Sequence, residues 1–168
     1  MRRFLNRPRR GRALAALLLA LFTLSGCRGM KTVGKEIPAA HITSLVCTWE
    51  NINYNAHFQR YRFDMEDGAV IFSHETRSRP GRYGPTTEAD ITAAGSFELT
   101  PAERDTLLSL LSGGTVTARE EAVTAGDDGP WIYLYWRGDR DRDQAFSFPD
   151  PARQQAFVEF CAGLAQSS

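Results

Sequence analysis

The sequence predicts an α+β fold, a mostly antiparallel sheet with two helices packed on one face. Three observations lead there. Apolar and polar residues alternate with a period of two through residues 42–50 and 57–65, the spacing of half-buried strands. Glu66-Asp67-Gly68 then marks a hairpin, because aspartate and glycine tolerate the positive φ values that a tight turn needs. Two later segments, opening at Thr100-Pro101 and Asp150-Pro151, switch to helical spacing.

In chain order, the first strand places Leu45, Cys47 and Trp49 on one side and Val46, Thr48 and Glu50 on the other. Asn51, Asn53 and Asn55 interrupt it. The second strand sets Tyr61, Phe63 and Met65 against Phe58, Arg60, Arg62 and Asp64, and residues 69–74 return across the turn. Residues 76–87, rich in Arg, Gly and Pro, read as a loop, and residues 90–99 as a further strand. Thr100 as N-cap, Pro101 at the first helical position and Glu103 as capping partner start a helix. Leu107, Leu108, Leu110 and Leu111 form its apolar face, and Gly113-Gly114 ends it. Residues 115–124 suggest another strand. Residues 131–136 are continuously apolar, as in a strand covered on both faces, and residues 143–148 return beside it. The final helix carries Phe157, Phe160, Cys161 and Leu164 at helical spacing.

The chain has 168 residues with 20 basic and 20 acidic side chains, but the signs are segregated. Six arginines (Arg2, Arg3, Arg7, Arg9, Arg10 and Arg12) lie before residue 27 and the first acid is Glu36, so residues 27–168 hold 14 bases against 20 acids. That surplus of acid argues against a nucleic-acid partner, which requires a basic stripe. A hydrophobic content of 42% excludes a wholly disordered chain, and residues 41–168 fit one globular domain. The arginines lead into an apolar stretch over residues 13–24, about 18 Å as a helix and too short for a hydrocarbon core of roughly 30 Å. An export signal has this layout.

Leu24-Ser25-Gly26-Cys27 follows, and it resembles the lipobox of bacterial lipoproteins. The resemblance implies that residues 1–26 are a signal peptide, that Cys27 carries the lipid, and that the protein is held on the extracytoplasmic side of a bacterial membrane. Two or more acyl chains give stable anchoring where one is marginal. Residues 27–40, with the chain's only lysines (Lys31 and Lys35), read as a flexible tether.

Chemistry-bearing residues are sparse. Cys47 and Cys161 form an even pair once Cys27 is lipidated, so a disulfide between them is one expectation and two separate buried thiols the other. Asp139, Asp141 and Asp143 open like a calcium loop, but Gln144 stands where the loop needs glycine, and a solvated hairpin tip is expected instead of a metal site. His41, His57 and His74 are scattered with no zinc spacing, and nothing points to a cofactor. Arg77, Arg79 and Arg82 are candidate anion contacts. Trp131, Tyr133 and Tyr135 alternate with Ile132, Leu134 and Trp136, so they are expected on the face away from the helices, a candidate contact surface for a cell-envelope polymer or protein partner. The sequence therefore favours a non-catalytic binding or interaction domain over an envelope hydrolase of glycan or peptide, for which no pair of carboxylates is singled out.

Overall fold

Asp67 and Gly68 both adopt positive φ, 51° and 84°, the conformation of a type I′ turn, whose twist matches that of the strands it joins. That turn sets the register of the longest ladder in the molecule. The computed structural model describes residues 33–118, 131–138 and 142–167, and the backbone alone at residues 131 and 132. Among them are seven strands: β1 (Ser44–Asn51), β2 (Asn55–Glu66), β3 (Ala69–Pro80), β4 (Ile91–Glu98), β5 (Thr115–Val116), β6 (Trp131–Arg137) and β7 (Gln144–Ser147). Two helices join them, α1 (Pro101–Leu111) and α2 (Pro151–Gln166). The strands form one antiparallel sheet in the order β4-β3-β2-β1-β6-β7-β5. The fold is thus mostly sheet with some helix, compatible with the α+β class.

Both helices begin as their sequences dictate. The Thr100 hydroxyl accepts from the Glu103 N–H while Glu103 accepts from the Thr100 N–H at 2.8 Å, the reciprocal capping box. At α2 the Asp150 carboxylate accepts from the Arg153 N–H at 2.8 Å, with Pro151 at the first helical position. One apolar cluster gathers Leu107 and Leu111 of α1, Phe157, Cys161 and Leu164 of α2, and Leu45, Phe63, Phe72, Leu134 and Trp136 of the strands. The Phe157 ring lies 6.0 Å from Phe63 and 5.1 Å from Phe148. Gly114 is required by packing: a Cβ there would come within 2.1 Å of the Phe146 ring.

Two expectations are corrected. Strand β3 does not stop at His74; it continues to Pro80, paired residue for residue with β2 from Glu66↔Ala69 to Asn55↔Pro80. The ladder is a main-chain structure, indifferent to the Arg and Ser side chains that read as loop, and proline is harmless at a strand's last position. Secondly, the chain joins the domain before residue 41. Gly34 N–H donates to Val116 O at 2.7 Å, Ile37 N–H to Gly114 O at 2.8 Å, and Ile37 is 0% exposed in the core. Of the strand expected over residues 115–124, Thr115–Val116 is present and the part beyond residue 118 lies outside the described residues. The signal and lipid-attachment segments, residues 1–32, also lie outside them.

Candidate functional site

Register places three inner-face rows side by side. Leu45, Cys47, Trp49 and Asn51 of β1 lie across from Phe63, Tyr61, Gln59 and His57 of β2, which in turn lie across from Phe72, His74, Thr76 and Ser78 of β3. All three strands pass from apolar to polar in the same direction along the sheet. The apolar end belongs to the core cluster with the helix residues. A 12-residue strand spans about 40 Å and a 16-residue helix about 24 Å, so β2 and β3 outreach either helix. Where the character changes there is a cleft of ≈ 280 Å³, lined by Cys47, Trp49, His57, Gln59, Tyr61 and Val158.

Its walls are fixed from behind. Gln59 Nε2 donates to Glu75 O at 3.2 Å and Gln59 Oε1 accepts from Thr76 Oγ1 at 2.7 Å, so the amide orientation is set and one N–H and one lone pair remain for a ligand. The Trp49 and His57 rings meet edge to face at 5.1 Å, and Tyr61 stacks on Phe72 at 6.1 Å. The Tyr61 hydroxyl and the His57 ring nitrogens make no hydrogen bond among the described residues.

Burial disfavours the charged form of every titratable wall. Burial keeps the His57 imidazole below its ordinary value and pushes the Cys47 thiol up to about 12. Tyr61 rises to about 12, through burial first and then the adjacent Cys161 and Cys47. Cys161 is raised by burial and further by Cys47, which places the two sulfurs in one electrostatic neighbourhood. Both are buried free thiols in this structure.

The opposite face of the same strands is charged and internally satisfied. Glu75 binds Arg60 through one carboxylate oxygen and Arg77 through the other, and both guanidiniums lie near the Phe58 ring, at 5.9 and 4.9 Å. Arg77, with a side chain only 15% exposed, is therefore committed to Glu75. Arg79 donates to Tyr83 O at 3.4 Å, while Arg82 is exposed beyond the strand end, so the three arginines share no single loop. Tyr133 and Tyr135 are half-buried, in register with Thr48 and Val46 on the side of β6 away from the buried Leu134 and Trp136. The Trp131 backbone pairs with Glu50, and its side chain lies outside the described residues.

Elsewhere a hollow of ≈ 320 Å³ flanks the β2–β3 turn, where Arg104 Nη1 donates to Gly68 O at 3.0 Å. Among the described residues no group of three or more His, Cys, Asp or Glu could hold a metal, and no helix is long and apolar enough to cross a membrane. Asp139 and Asp141 lie outside those residues, and Asp143 pairs with Arg137 at 2.9 Å.

Sequence reasoning named Trp49 and Tyr61 only as alternating strand residues and set His57 aside as scattered. The signal that finds the site is the parity of β2: His57 and Gln59 continue the inward series of Tyr61, Phe63 and Met65. No protein-family model, curated protein or solved structure matches this chain.

Proposed function

We propose that this chain is a lipid-anchored extracytoplasmic binding domain, tethered to a bacterial membrane through Cys27, that holds a ligand in the Trp49–His57–Tyr61 cleft without transforming it. The observation that carries this reading is a cleft wall without a carboxylate or other formally charged side chain among the described residues. General acid–base catalysis works through a matched acid and base, and His57 has no such partner on the wall, because burial moves Tyr61 and Cys47 far above neutrality. In this reading both helices cover one face of the sheet, an arrangement supported by the Phe157–Phe63 contact and by the shared core cluster. They leave the polar end of that face open to cell-envelope material.

The test uses the full chain purified in detergent and mixed with insoluble cell-envelope polymer. The protein is expected to sediment with the polymer and to release no soluble sugar or peptide. Time-dependent release that His57→Gln abolishes would overturn the proposal in favour of an envelope hydrolase.

A further inference from the structure

Resting on the reading of the cleft as a binding site, we propose that its ligand is one uncharged, hydroxyl-bearing ring: the neutral hexopyranose unit of a glycan. Charged residues make up 24% of the chain, and Arg60, Arg77 and Glu75 stand on the other side of the same strands. None lines the cleft. A carboxylate, phosphate or ammonium entering it would shed water without meeting an opposite charge, which disfavours charged ligands.

A plain arene fits no better. It would dry out the Tyr61 hydroxyl, the His57 nitrogens and the spare valences of Gln59 while offering them no partner. A sugar ring has both surfaces the walls call for. Its hydroxyls donate and accept, matching the hydroxyl, imidazole and amide, while its C–H faces lie against the rings of Trp49 and Tyr61 and the methyls of Val158. The volume of ≈ 280 Å³ falls at the small end of the roughly 300–1,000 Å³ typical of ligand sites, so it takes a single ring in place of an extended chain.

The experiment titrates the full chain in detergent with a neutral methyl hexopyranoside, a hexuronate, a hexosamine and phenol, by ligand-observed NMR. Wild type, Tyr61→Phe and Val158→Phe are compared, and melting curves establish that each variant is folded. The neutral pyranoside is expected to bind. Tyr61→Phe should weaken it about tenfold, the worth of one hydrogen bond lost on binding. The hexuronate and hexosamine should bind at least about tenfold more weakly than the neutral sugar. Binding of the free pyranoside together with retention on the insoluble polymer, both weakened by Val158→Phe, would assign the unit to a glycan chain; pyranoside binding without polymer retention would overturn that assignment in favour of a soluble sugar. Tighter binding of phenol or of either charged sugar, lost in Val158→Phe, overturns the ligand class and leaves the cleft standing as a site. If no probe responds to Val158→Phe or Tyr61→Phe, the cleft reading fails and this proposal fails with it.

Discussion

Phe157→Ala is expected to lower the free energy of unfolding by about 3–5 kcal/mol, the range for deleting a fully buried phenylalanine. Phe157 is 0% exposed and bridges the Phe63 ring on β2 and the Phe148 ring that leads into α2. Its removal opens a hole between helix and sheet that neither neighbour can fill without leaving its own contacts. Urea unfolding followed by far-ultraviolet circular dichroism measures the loss. Glu159→Ala on the same helix is the comparison, since Glu159 is exposed and such a change falls within about ±0.5 kcal/mol. Equal effects from the two substitutions would mean that α2 does not rest on the sheet through Phe157.

Cys27→Ser is expected to move the protein completely out of the stably anchored membrane fraction. On the proposed lipid attachment, serine offers no thiol for a thioether-linked lipid, and among the described residues no helix is long and apolar enough to cross a bilayer. Fractionation of cells grown with labelled fatty acid tests this. Membrane partition and fatty-acid label that survive Cys27→Ser would refute the lipobox reading.

Much of the local architecture was legible in the residues because its causes are local. Asp67-Gly68 fixes a turn through the φ values its two residues tolerate. Thr100, Pro101 and Glu103 announce a helix start because capping satisfies N–H groups within one turn. The inward set Leu45, Cys47 and Phe63 follows from period-two alternation. What escaped was long-range. No local pattern says that β1 sits between β2 and β6, or that β5 closes the far edge. The isolated Ile37, flanked by Glu36 and Pro38, carries no periodicity, yet Glu36 bridges to Thr115 and Ile37 enters the core. Arg77 and Arg79 read as loop because side chains were weighed where main-chain pairing decides.

The cleft was half legible. Its parity gradient is written in three strands, but it becomes a site only when register aligns Trp49, Gln59 and Thr76 in one row. Val158 joins from a helix roughly a hundred residues away, and nothing near β1 or β2 foretells it.

Filling the cleft is the most direct test of the account. Val158→Phe adds a ring at the one wall supplied by α2 and leaves Trp49, His57, Gln59 and Tyr61 in place. Retention of the full chain on insoluble cell-envelope polymer, measured beside the melting temperature, is predicted to fall at least about tenfold while the fold persists. Undiminished retention by a folded Val158→Phe protein would contradict the account and move the contact surface away from the cleft.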